Sequence, residues 1–234
     1  MNLGLSVLIF AYNEEKFIEL TVKKILKSLL LSRISFEIII LNDSSTDKTK
    51  YIIQNSFKNN SNIKIYNFKK NVGLSKLLQF GVTKARFNKL TWFPGDDSYL
   101  EKNLKNFFLK SNNYNVVIGY RNNLYNLPKL RRFLSFVNRL FINILIGIKT
   151  KDVHGLLIAK VNDFKKIKFI SSRYSFTVEV FPSIINKNTM YCEVPVFINK
   201  KTIKNSKTLS INTLKDFILS WFKVLLRVKI FNSI

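Results

Sequence analysis

Five short apolar runs recur through the first half of the chain and constrain its fold more than any other feature. They are "LSVLIFAYN" (5–13), "FEIIILND" (36–43), "IKIYNF" (63–68), "KLTWFPGDD" (89–97) and "NVVIGYR" (115–121). Each is rich in β-branched and aromatic residues, lacks polar alternation, and closes in polar or glycine-containing sequence. Between them, "EEKFIELTVKKILKSLL", "TDKTKYIIQNSFKN" and "GLSKLLQFGVTKARF" carry apolar residues at helical spacing. Strands without a polar face that alternate with helices need cover on both sides, which predicts an α/β fold built on a mainly parallel sheet. Ligands of such sheets bind beyond the carboxyl ends of the strands. Asn13, Asp43, Asp96, Asp97 and Arg121 all fall at those ends and are predicted to share one cleft.

With 234 residues, one large domain is expected, and no repeat, low-complexity tract or proline- or glycine-rich linker argues for a second. The single cysteine, Cys192, excludes an intramolecular disulfide and a cysteine metal site, in keeping with a reducing compartment. "SVLIFAY" runs straight into "NEEKF" without the layout of a secretory signal, so the cytosolic side is expected. A net charge of +25 fits nucleic acid, an anionic membrane face or a phosphorylated substrate, or a lysine-rich coding bias spread over a solvated surface. Composition does not choose among these.

The adjacent carboxylates Asp96 and Asp97 are hard oxygen donors of the kind Mg²⁺ or Mn²⁺ takes, with substrate phosphates completing the shell. The same "PGDD" also reads as a turn in which Asp97 or Ser98 caps the next helix. Ser45 or Thr46 reads equally as a helix cap beside Asp43. His154, the only histidine, reads as structural.

Taken in order, the segments resemble family 2 glycosyltransferases of GT-A fold, most closely the branch containing dolichyl-phosphate mannose synthases and bacterial polyprenyl-phosphate sugar transferases. "SVLIFAYNEE" is similar to the family's opening strand and nucleotide loop, "EIIILNDSSTDKT" to its VDDGSTD segment, and "FPGDDSYLEKNL" to the stretch holding the metal-binding D-x-D. "NVGLSKLLQFGVTKA", "VVIGYR", "KDVHGLLIAK", "YSFTVEV" and "EVPVFINKKTIKNSK" resemble later family segments, so the likeness spans about residues 5–207. Pro94 stands at the first D-x-D aspartate and Asp96 at the second. Asn42 replaces the first aspartate of the nucleotide loop.

The resemblance implies a nucleotide-diphosphate sugar lying across Ala11, Tyr12, Glu14 and Asp43. Its diphosphate would be joined to Asp96 and Asp97 by Mg²⁺ or Mn²⁺, and the sugar transferred with inversion. It further implies that Arg121, Arg131 or Arg132, Lys201 and Lys207, with Ser206 as a donor, hold a polyprenyl (dolichyl or undecaprenyl) phosphate. For a hydroxyl acceptor on a surface polysaccharide or lipid-linked oligosaccharide, Asp97 or Glu179 would supply the base. An inactive homologue is a further alternative. A nucleic-acid-binding module would explain the charge but not carboxylates at three strand ends, and no nucleic acid is expected.

Two amphipathic stretches complete the expectation. In residues 129–148, Arg132, Ser135, Arg139 and Asn143 form one stripe, with Leu130, Phe133, Val137, Leu140, Ile144 and Ile148 roughly opposite. Residues 211–228 repeat the pattern with Ile211, Leu214, Ile218, Trp221, Leu225 and Val228. Neither reaches the ~18 uninterrupted apolar residues of a span. Residues 1–207 are thus read as the transferase domain and 208–234 as a membrane-facing helix. Both amphipathic stretches are predicted to lie in an anionic cytoplasmic-leaflet interface as a peripheral anchor.

Overall fold

A computed structural model describes residues 2–169 and 176–203. Ser206, Lys207 and the amphipathic stretch at 211–228 lie outside the described residues. The five predicted strands are present as β1 (Asn2–Ala11), β2 (Phe36–Asn42), β3 (Ile63–Asn67), β4 (Phe87–Pro94) and β5 (Val116–Arg121). Helices α1 (Ile18–Ser32), α2 (Thr49–Phe57) and α3 (Leu74–Lys84) connect the first four, and α4 (Leu104–Leu109) follows the tip of β4. The chain then adds α5 (Lys129–Ile146), β6 (Leu156–Lys160), α6 (Val161–Lys165), α7 (Phe176–Ile184), β7 (Tyr191–Val196) and α8 (Lys200–Ile203).

The sheet order is β3-β2-β1-β4-β6-β5-β7. All neighbours pair in parallel except β6, which runs antiparallel to both β4 and β5. This is the mainly parallel α/β sheet that the alternating pattern predicts. Along β1 the two-residue period sends Leu8 and Phe10 to one face, where α3, α6 and α7 contribute apolar residues. Val7 and Ile9 go to the other, under α1, α2 and α4. Polar alternation has no place in such a strand, because both of its faces are core.

Topology places the site. Six strands point the same way, so Ala11, Asn42, Asn67, Pro94, Arg121 and Val196 end at one edge. The strand order reverses around β1, leaving the crevice between β1 and β4 where open α/β sheets take ligands. Being antiparallel, β6 starts at that same edge, with Leu156 paired to Gly119. The segment before it, Asp152 to Gly155, is thereby delivered beside Arg121.

Candidate active site

The loops after β1 and β2 are stitched together by their own side chains. Asn13 donates its backbone N–H to Ser45 Oγ at 3.0 Å, and its Oδ1 accepts the N–H of Thr46 at 2.8 Å. Glu14 donates its N–H to Thr49 Oγ1 at 2.8 Å and Glu15 to Asp47 Oδ2 at 3.1 Å. Ser45 and Thr46 therefore hold the neighbouring loop and do not cap α2. Asp47 accepts the N–H of Thr49, the first residue of α2, at 2.9 Å. Asn13, Ser44 and Asp97, each at a strand tip, have positive φ of 56°, 62° and 58°, conformations that ordinary loops avoid and functional loops often hold.

Asp43 is buried, and both carboxylate oxygens are engaged: Val72 N–H reaches Oδ1 at 2.8 Å and Gly73 N–H reaches Oδ2 at 3.0 Å. Gly73, at φ 84°, supplies the turn into α3 that aims these amides. Asp43 thus fixes the floor of the cleft, while Tyr12, 47% exposed, presents its ring to solvent and Ala11 is buried beneath. Asn42, in the place of the family aspartate, donates its side-chain N–H to Asn67 Oδ1 at 2.9 Å.

At the tip of β4, Gly95 donates its N–H to Phe10 O at 2.8 Å, and a Cβ there would sit 2.9 Å from that oxygen. Only glycine lets the two backbones close up. Asp96 follows, half-buried; its Oδ1 accepts the N–H of Ser98 at 3.0 Å and also the Ser98 hydroxyl. Its other oxygen takes no hydrogen bond from a described residue. Glu14 lies near enough that burial, then the charges of Asp96 and Asp47, push its carboxyl up to about 7. A hard divalent cation relieves such like-charge repulsion, so the donor set fits Mg²⁺ or Mn²⁺. Among the described residues no group of three or more His, Cys, Asp or Glu side chains converges on one point. The protein would supply few ligands, the mode in which substrate phosphates and water complete the shell.

Asp97 is placed differently from the sequence expectation. One oxygen is ion-paired with Lys24 of α1, and the other accepts the side-chain N–H of Asn199 at 2.8 Å. An ammonium on this carboxylate repels a divalent cation, so the geometry does not carry a shared metal site on Asp96 and Asp97. Neither Asp97 nor Ser98 caps a helix, since α4 starts only at Leu104.

Arg121 also departs from expectation. Its Nε and Nη2 bind Asp152 Oδ2 and Oδ1 at 2.6 and 2.8 Å, and Nη2 reaches Ser135 Oγ of α5 at 2.9 Å. Burial alone would raise the Asp152 carboxyl, but the charge and hydrogen bonds of Arg121 outweigh it and hold it at about 2. His154, beside this pair, is pushed down to about 4 by burial and by Arg121, so it is neutral at physiological pH. Its Nε2 lies 2.7 Å from the Asn138 amide nitrogen of α5, which supports the structural role read from sequence. Arg121 is thus committed to anchoring α5, and Asp152, the partner the sequence reading missed, is reached only through the antiparallel β6.

The remaining expected residues spread around this core. Arg131, half-buried on α5, is close enough for its charge to act on Tyr99 and His154, and Asp96 acts on the same Tyr99. Arg132 and Lys201 are exposed, on α5 and α8. Glu179 is buried on α7, which packs against α5.

A sheet with its order reversed at β1, a nucleotide-type loop pair and a carboxylate at the β4 tip define a GT-A sugar-transferase architecture. The profile of the family described as glycosyl transferase family 2 matches residues 6–159, and the chain belongs to that family. Dolichyl-phosphate beta-glucosyltransferase ALG5A of Trichomonas vaginalis is 33% identical over 171 residues, covering 65% of this chain and 49% of that protein. Dodecaprenyl-phosphate galacturonate synthase of Rhizobium johnstonii is 23% identical over 183 residues, covering 75% and 53%. The chain therefore spans about half the length of these curated relatives. Glucosyl-3-phosphoglycerate synthase of Mycobacterium tuberculosis, solved with Mn²⁺, UDP and glucosyl-3-phosphoglycerate, superposes with a TM-score of 0.64 at 14% identity, covering 94% of this chain and 79% of that one. The S. aureus TarS 1-349 complex with UDP gives 0.56 at 20% identity, covering 82% and 61%.

Proposed function

We propose that this glycosyltransferase moves a sugar from a nucleotide-diphosphate donor to a polyprenyl phosphate, with inversion at the anomeric carbon, from a peripheral position on an anionic membrane. The observation that carries the reading is the orientation of α5. Three of its polar residues face inward, where Ser135 meets Arg121, Asn138 meets His154, and Asn143 donates to Thr150 O at 3.0 Å, while Arg132 is exposed. Of its apolar residues, Ile142 and Ile146 are buried in the core, but Leu130, Phe133, Phe136, Leu140 and Ile144 are exposed at 49–73%. A globular helix normally leaves far less apolar surface uncovered. This outward apolar face, on the helix that also carries Arg131 and Arg132, is suited to a lipid interface and would set a lipid phosphate beside Asp96. Among the described residues no helix is long and apolar enough to cross a membrane.

In this mechanism Tyr12 and the loop fixed by Asp43 take the nucleotide, and Asp96 with Glu14 nearby would hold the divalent ion. Bound Mg²⁺ or Mn²⁺ supplies neutralisation of charge on the departing diphosphate. Arg131, Arg132 and Lys201, with Ser206 and Lys207 by family position, orient the acceptor phosphate. That phosphate is already anionic, its second pKa being about 6 by analogy with phosphorylated side chains, so it needs little base help. A hydroxyl acceptor would need a base, and the pairing of Asp97 with Lys24 disfavours it in that role. Incubation with a panel of nucleotide sugars and undecaprenyl or dolichyl phosphate, reading released nucleoside diphosphate, tests the proposal. Release with saccharide acceptors but with neither lipid would overturn it.

A further inference from the structure

Asp97 stands at the junction of three elements. Its own N–H goes to Thr21 Oγ1 at 3.0 Å, and that hydroxyl donates to Gly95 O at 3.1 Å. Lys24, one turn further along α1, pairs with Asp97 and also donates to Tyr99 O at 2.9 Å. On the opposite side, Asn199 donates its amide to Asp97 Oδ2. The backbones of the two segments are zipped together as well: Leu100 N–H to Phe197 O at 2.8 Å, Asn199 N–H to Ser98 O at 2.7 Å, and a bridge between Tyr99 and Ile198. Asn199 in turn accepts the N–H of Lys201 at 3.1 Å.

We propose that Asp97 is a positioning residue, a latch that uses Lys24 and Asn199 to lock the loop presenting Asp96 to the segment entering α8. Two halves of the site that come from distant parts of the sequence are thereby held in one register: the carboxylate at the β4 tip and the lysines that begin α8. The inference goes beyond the transfer reaction proposed above and rests on it only in taking Asp96 as the metal-side carboxylate.

The chemistry of the latch distinguishes it from a ligand. In Asp97→Asn, the new amide N–H must face one of two donors, Lys24 Nζ or the Asn199 amide, so one side of the latch opens. The double variant Lys24→Gln/Asp97→Asn closes it again. The introduced glutamine offers a carbonyl to the introduced asparagine's amide, and its own amide still reaches Tyr99 O. The introduced asparagine keeps a carbonyl for Asn199. Every hydrogen bond returns without a charge. A metal-binding carboxylate would not be restored by this pair.

The test is hydrogen exchange at the Leu100 and Asn199 amides, with Mn²⁺ titration in the presence of UDP. Asp97→Asn is expected to speed exchange at both amides by about tenfold, the scale of a local opening, while the β1 amides stay protected. Any loss of Mn²⁺ affinity should accompany it, and the double variant should restore both. An Asp97→Asn protein that loses Mn²⁺ binding with exchange unchanged, or a double variant as impaired as the single one, overturns the latch. So does exchange unaltered in every variant. Should Asp97→Asn fail to fold, Asn199→Ala, which leaves the ion pair intact, is expected to speed exchange at Asn199, and unchanged exchange there overturns the proposal. If the wild type shows no Mn²⁺ affinity, the metal reading fails and the exchange measurements decide the latch alone.

Discussion

Asp96 and the Arg121–Asp152 pair show how two charged sites of one cleft respond differently to mutation. Asp96 is half-buried and, among the described residues, bonded only within its own loop, so Asp96→Asn is expected to abolish nucleoside diphosphate release while shifting the melting temperature by no more than a few degrees. Activity that survives in this variant, or that is unchanged in excess chelator, would refute the metal role. Arg121 and Asp152 are both almost fully buried, and removing one partner leaves the other charge uncompensated. Asp152→Ala or Arg121→Ala should cost about 3–5 kcal/mol in urea unfolding. Because the Asp152 carboxyl is held below its ordinary value, that contribution is present above about pH 4 and is lost only as pH falls toward 2. Glu14 has the opposite sign. Its raised carboxyl favours the folded state below about pH 4.5, and the benefit is lost as pH rises through about 7. Glu14→Gln without metal is therefore expected to gain in melting temperature relative to wild type between pH 5 and 8. A difference independent of pH would contradict the clustering of Glu14 with Asp96 and Asp47.

Among the elements, α5 most directly separates surface function from stability. Phe133 and Ile144 are 62% and 73% exposed, whereas Ile142 is fully buried. Replacing Phe133 and Ile144 with glutamine should leave the melting temperature nearly unchanged and weaken flotation with anionic liposomes. Ile142→Ala should instead cost about 2–5 kcal/mol, as for other buried large-to-small changes. Flotation unaffected by the outward pair would remove the main support for the lipid interface. The stripes of α5 were legible from spacing alone. Which stripe faced the protein was not, because a helical period defines two faces and only the packing partners decide which is covered. Here Arg121 draws Ser135 of the polar stripe inward and His154 meets Asn138 beside it, while Arg132 stays exposed.

Over the full chain, a net charge of +25 predicts that liposome association falls steeply with ionic strength, since exposed charges are screened beyond ~8–10 Å at physiological salt. Salt-insensitive binding would point to apolar insertion alone. The first five strands, the three helices between them and the edge that carries Asn13, Asp43, Asp96 and Arg121 were all readable. Short apolar runs rich in β-branched and aromatic residues, alternating with helical spacing, read as strands of a covered sheet, and parallel connection sends their tips to one edge. Strands β6 and β7 were not read, because they arrive after the regular alternation of strands and helices ends. Local pattern was enough to give the residue types at the tips, and hence the family. Their partners came from the fold: an antiparallel β6 brought Asp152 to Arg121, and the return of β7 brought Asn199 to Asp97. A carboxylate's role depends on which charge stands a few ångströms away, and that neighbour comes from a part of the chain that local pattern cannot locate.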